Sequence, residues 1–150
     1  MRLSRQKAFI LVAAFTVACH ETTSPPAVLR SFVLESVDNQ PVPVVTYASG
    51  GDTTTLYWAS LTLYEGGTAD IATHTRQVRS TLQPREATDI AHYSYLIVGD
   101  DITFDYSCPP NALCAMPPSA KITSSSTVTL FYGDLGRGVM YHYRLSPALD

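Results

Sequence analysis

The chain is poor in cysteine, tryptophan and cations, and it has no long apolar run. Three Cys, one Trp and ten Lys or Arg stand in 150 residues. So few cations against 13 Asp and Glu leave no basic surface to neutralise phosphates, which excludes nucleic acid as a partner and disfavours anionic lipid headgroups. The longest apolar run, Ala8 to Ala18, is eleven residues. At about 1.5 Å per residue it falls well short of a hydrocarbon core of roughly 30 Å, so it is too short for a permanent transmembrane helix. C-x-x-C, H-E-x-x-H and G-x-S-x-G are all missing. The usual signatures of zinc sites, metalloproteases and serine hydrolases are therefore absent, and no cofactor, metal or enzymatic activity is expected.

What is present begins at the N-terminus. Arg2, Arg5 and Lys7 precede the apolar run, and Thr16-Val17-Ala18 precede Cys19. A charged start, a short apolar stretch and small residues before a cut form an export signal. Residues 1–18 read as a lipoprotein signal peptide and Cys19 as the lipidated first residue of the mature protein. Thr16 stands where a branched aliphatic residue is usual, so an ordinary signal peptide with an incidental Cys19 is the competing reading. His20 rather than Asp follows the cysteine, which points to the outer membrane, with the domain in the periplasm or at the cell surface. The leader takes three of the ten cations and no acid, leaving seven against 13, a formal charge of −6. Membrane attachment would then rest on the lipid, for which two or more acyl chains suffice. Cys108 and Cys114 remain as an even pair in an oxidising compartment and are expected to form a disulfide. It would contribute about 2 kcal/mol in the chain-entropy model. A redox or metal pair is the weaker alternative, for want of C-x-x-C spacing or a neighbouring Cys/His cluster.

The remaining 132 residues suit one domain. Residues 19–29, rich in polar side chains and proline, read as a flexible tether, 30–146 as the domain and 147–150 as a tail. Thr, Val, Tyr and Ile abound, turn residues recur, and no apolar 3.6-residue period persists, so the domain is all-β. Eight strands are expected: Arg30–Val37, Val42–Ala48, Thr54–Tyr64, Ala69–Arg79, Ile90–Val98, Ile102–Ser107, Lys121–Tyr132 and Val139–Leu145. Ser80–Asp89 could hold a helical turn, and Cys108–Ala120 is a loop. Leu61 and Leu63, then Ile102, Phe104 and Tyr106, then Val128, Leu130 and Tyr132, then Tyr141, Tyr143 and Leu145 mark one apolar face by alternation. Consecutive hairpins with one such face close most simply into an eight-stranded antiparallel up-and-down barrel, which removes exposed edges. A two-sheet sandwich is the alternative. An interior of that size is either filled or just wide enough for one small ligand.

Phe32-x-Leu34-x-Ser36-Val37-Asp38-Asn39-x-Pro41-Val42-Pro43 resembles the opening of small bacterial envelope lipoproteins with lipocalin-like barrels. Leu61-x-Leu63 before Gly66-Gly67-Thr68, and Tyr95-x-Ile97-x-Gly99-Asp100-x-Ile102-Thr103-Phe104, are similar to their later hairpins. Asn39 and Tyr93 stand where that family usually has Gly, and Ala69 where it has an aromatic. The resemblance implies a lipocalin-like barrel and brings no catalytic residue with it.

His74, His92 and His142 fall on separate strands, and His142 alternates with Tyr141 and Tyr143 as an outward-facing residue would. His74, Arg76, Arg79 and Arg85 read as cations guarding a solvated edge strand, ahead of an anion-binding patch. Gly99-Asp100-Asp101 reads as a hairpin turn, since a calcium loop needs more oxygen ligands. Trp58 reads as core or rim packing ahead of ligand contact. Tyrosine is in excess, and Tyr93, Tyr95, Tyr106, Tyr132, Tyr141 and Tyr143 fall on neighbouring strands. A tyrosine ring that packs while its tip stays polar suits the lining of a cavity, although tyrosine is also simply favourable in strands. These six and Trp58 are the candidate ligand contacts. The functional expectation is a non-enzymatic, lipid-anchored envelope protein that binds a small apolar ligand. An interaction module that uses the Cys108–Cys114 loop to bind another envelope protein is the alternative.

Overall fold

A computed structural model describes residues 26–106, 116–133 and 138–147. The leader with Cys19, most of the tether, the Cys108–Cys114 loop and the last three residues lie outside the described residues. Ten strands follow one another: β1 (Val28–Val37), β2 (Gln40–Pro41), β3 (Val44–Ser49), β4 (Asp52–Tyr64), β5 (Thr68–Arg79), β6 (Leu82–Val98), β7 (Asp101–Asp105), β8 (Ser119–Ser124), β9 (Thr127–Tyr132) and β10 (Val139–Leu145). Eight of them form a closed antiparallel barrel in the cyclic order β1-β10-β9-β8-β7-β6-β5-β4, sealed by pairing of β1 with β4. Closure leaves no room for the two-sheet alternative.

The eight ring strands are not the eight expected. Val42–Ala48 corresponds to β3, which pairs only with β4 and lies outside the ring. Lys121–Tyr132 is instead two ring strands, β8 and β9. The turn between them is made by serine hydroxyls in place of Gly, Asn or Pro. Ser124 Oγ accepts from the Ser126 amide at 3.2 Å and lies 2.7 Å from Thr127 Oγ1. Ser80–Asp89 holds no helical turn either: β6 starts at Leu82, and its pairing with β5 shifts register between Gln77 and Arg79. Pro84 sits in that irregular stretch, where a missing amide proton is tolerated. Strand β5 is paired on both sides, so its cations do not guard an edge. Strand β1 begins at Val28, inside the stretch read as tether.

The core is the barrel interior. Phe32, Leu61, Leu63, Ile102, Val128, Leu130 and Tyr143 are its most deeply buried side chains, with Leu34, Leu56, Ile71 and Phe104 around them. Turns follow the backbone chemistry. Asp38 and Asn39 both take positive φ, 47° and 65°, in the two-residue β1–β2 turn. Asx residues accept that region at small cost, so Asn39 turns the chain as Gly would. Gly99 (φ 63°) and Asp100 make the β6–β7 hairpin, as expected.

One irregularity shapes the barrel. The first half of β1 pairs with the last third of β4, Val28–Val33 with Tyr64–Ser60. Beyond that point the two strands bond to different partners, β1 to β2 and the start of β4 to β3. The β1–β4 seam thus opens at one end, and the β2–β3 segment fills the opening, with Val44 buried and Val42 packed on the core.

Candidate functional site: the tyrosine-lined mouth

The open end of the seam is also where the tyrosines gather. Tyr93 on β6, Tyr132 on β9 and Tyr141 on β10 border a cavity of about 340 Å³ in the barrel mouth. Its floor is Leu56 and Ile71, and Thr46 of β3 reaches it from outside the ring. Thr73 and Thr75 of β5 and Asp89 and Ala91 of β6 supply its wall. The wall follows from strand alternation: Ile71, Thr73 and Thr75 share the inner face of β5, while Ala91 and Asp89 lie opposite Ile71 and Thr73 on β6. Small and hydroxylated residues there leave the space that larger ones close elsewhere.

Tyr132 and Tyr141 meet edge to face, with ring centroids 4.9 Å apart at 62°, a favourable arrangement of aromatic quadrupoles. Burial raises the ionisation of Tyr132 well above the usual value near 10, and the neighbouring Tyr93 and Tyr141 hydroxyls raise it further. Tyr141 is raised by burial and by the nearby Asp38 carboxylate, and Tyr93 by burial and Tyr106. Tyr143 lies beneath this group, 1% exposed, its hydroxyl buried with no hydrogen-bond partner among the described residues. Burial raises it too, and the neighbouring Tyr132 and Tyr141 raise it further. All are neutral at physiological pH.

The other candidates are placed elsewhere. Tyr106 packs edge-on against Tyr93 at 5.9 Å. Tyr95 donates its hydroxyl to the Tyr64 carbonyl at 3.1 Å and fastens the Glu65–Gly67 turn. Trp58 is on the outer face, 44% exposed and stacked on His74 at 5.7 Å. Its orientation comes from a bulge: the β4–β5 register shifts between Leu56 and Trp58, which turns Leu56 and Ala59 inward and Trp58 outward.

The histidines do not converge. His74 Nδ1 is 2.9 Å from Thr88 Oγ1, and His142 Nδ1 is 3.1 Å from Thr129 Oγ1. His142 lies on the outer face yet is half-buried, with Nε2 unpartnered among the described residues. His92 Nδ1 is 2.6 Å from Asp70 Oδ1, and Tyr64 donates to Asp70 Oδ2 at 3.0 Å. Burial and this bond to Asp70 raise Tyr64, so its proton is held on the phenol. Glu86 lies 4.0 Å from Arg76 and 3.9 Å from His74, two of the four basic residues singled out in the sequence. Among the described residues no group of three or more His, Cys, Asp or Glu could hold a metal.

No family model, curated protein or solved structure matches the chain. The site is therefore read from its own chemistry. Sequence reasoning missed Thr73, Thr75, Asp89 and Ala91. The alternation Ala87-x-Asp89-x-Ala91-x-Tyr93 is a barrel-face pattern, but its small residues carry little hydrophobic signal.

Proposed function

We propose that this is a non-enzymatic envelope protein, anchored through lipid on Cys19, that holds a small apolar ligand in the tyrosine-lined mouth of its barrel. The observation that carries the reading is the mouth cavity of about 340 Å³ over Leu56 and Ile71, bordered by Tyr93, Tyr132 and Tyr141. Its volume lies toward the lower end of the roughly 300–1,000 Å³ of small-molecule sites. An apolar floor with a few polar groups above it is the usual composition of such a site. The anchor rests on the leader pattern and the export it implies, with the outer membrane as destination because His20 follows the cysteine.

A ligand that binds only the folded chain raises its melting temperature. N-phenyl-1-naphthylamine, a neutral aromatic, should stabilise the wild-type protein and fail to stabilise Ala91→Trp, in which an indole fills the mouth from its wall. No stabilisation of wild type, or equal stabilisation of both, would overturn the ligand reading. Radiolabelled palmitate should enter the wild-type chain in bacteria and not Cys19→Ser; equal labelling would overturn the anchor.

A further inference from the structure

Among the described residues, the mouth carries charge of one sign only. Asp89 is the single charged residue on its lining, and no Lys or Arg borders it among the described residues. Asp89 makes no ion pair with any described residue, and Asp38 stands close enough to Tyr141 to raise its ionisation. Arg85 shares the inner face of β6 with Asp89 but is four residues farther out, about 13 Å along the strand, and lies opposite Gln77. That separation is comparable to the Debye length at physiological salt, so Arg85 neutralises Asp89 only in part.

A buried anion in this mouth would meet phenol protons but no counter-charge among the described residues, and it would approach the Asp89 carboxylate; leaving a charge unpaired out of water is costly. A cation would meet the opposite surroundings. Three tyrosines, whose rings carry negative π faces, border the cavity, and Asp89 supplies a carboxylate at the rim. Trimethylammonium groups are weakly hydrated and shed water readily, which suits an aromatic-lined site above an aliphatic floor.

We propose that the ligand of the tyrosine mouth is a small organic cation, an alkylated ammonium on an apolar body, with the body on Leu56 and Ile71 and the ammonium between the tyrosine rings and Asp89. This rests on the mouth being a ligand site and specifies what it selects.

Three probes of similar size separate charge from shape: phenyltrimethylammonium, its neutral isostere tert-butylbenzene, and benzenesulfonate. Each is titrated into the purified full chain in lipid nanodiscs while the Leu56 and Ile71 methyl resonances are followed. The cation should bind about tenfold tighter than tert-butylbenzene, within the range that aromatic–cation contacts supply. Benzenesulfonate should bind weakest. Asp89→Asn, at an exposed position that does not contribute to the core, should remove most of the cation's advantage and leave tert-butylbenzene unchanged. Equal or tighter binding of tert-butylbenzene, or a cation advantage indifferent to Asp89→Asn, would overturn the charge selection while the mouth stays a ligand site. If none of the three shifts either methyl, both readings fall.

Discussion

The two ends of the barrel are made by the same strands and differ in chemistry. At one end the described chain enters and leaves: Ala27 accepts from the Glu65 amide at 2.9 Å, and the Ser146 amide donates to Ser31 at 2.8 Å. There β1 and β4 stay paired, and Leu29, Phe32, Leu63, Ile97, Ile102, Ile122 and Val128, with Arg30 as the one charged residue described, border about 280 Å³. At the other end the β1–β4 seam opens, β3 brings Thr46 to the gap, and tyrosines replace aliphatic residues. The lining of that cavity is mostly aliphatic, with Arg30 at its edge, so what it offers is chiefly dispersion. The tyrosine end gives up packing for hydroxyls and π faces, and so can select. On the proposed reading, stability rests mainly on one end of the core and recognition on the other.

The largest expected effect breaks that comparison if it fails. Leu63→Ala, at a side chain 2% exposed, should cost about 3 kcal/mol by urea denaturation, as for other buried leucine truncations. Tyr132→Phe at the other end should cost under about 1 kcal/mol, because a hydroxyl at a mouth can exchange its partner for water. Equal losses would mean that both ends bear the fold alike.

Alkaline stability is the next test. Tyr132, Tyr141 and Tyr143 ionise above the usual value near 10 in the fold and near 10 when unfolded. Their contribution is complete below about pH 10 and is lost as pH rises toward the raised values, since the unfolded chain ionises first. The melting temperature should therefore fall more steeply above pH 10 in wild type than in the Tyr132→Phe/Tyr143→Phe double variant. Matching slopes would place the ionising group elsewhere.

A smaller gain is expected from Tyr143→Phe alone. Its hydroxyl is buried without a partner among the described residues, and removing it while keeping the ring should stabilise the fold by about 1 kcal/mol. A loss of that size would mean the hydroxyl is bonded in solution. The smallest effect is a null one: Trp58, stacked on His74 outside the barrel, should keep its emission when the mouth is filled. A large quench would place the ligand on the outer face.

Much of the barrel was legible because its inner face alternates in aliphatic and aromatic residues. Phe32 with Leu34, Ile102 with Phe104, and Val128 with Leu130 carry period-two patterns strong enough to read without a structure. The ring membership was not legible. The Ser124–Ser126 turn uses serine hydroxyls where glycine or proline would have signalled a break, so β8 and β9 read as one strand. Residues 42–48 have strand composition whether or not the strand joins the ring, and only the long-range pairing of β1 with β4 decides it. The site was half legible. Tyr93, Tyr132 and Tyr141 stood out as a surplus, but the same signal swept in Tyr95, which fastens a turn, and the bulge at Tyr57 turned Trp58 outward. Asp89 was hidden in a segment read as a connection, because Pro84 and the polar residues around it look like a loop.

The central claim is that ligand binding belongs to the tyrosine end. Methyl NMR with N-phenyl-1-naphthylamine tests it most directly, since aromatic ring currents shift the methyls they approach. The account predicts shifts at Leu56 and Ile71 and none at Leu63, Ile102 or Ile122. Shifts confined to the aliphatic end, or at neither end, would contradict it.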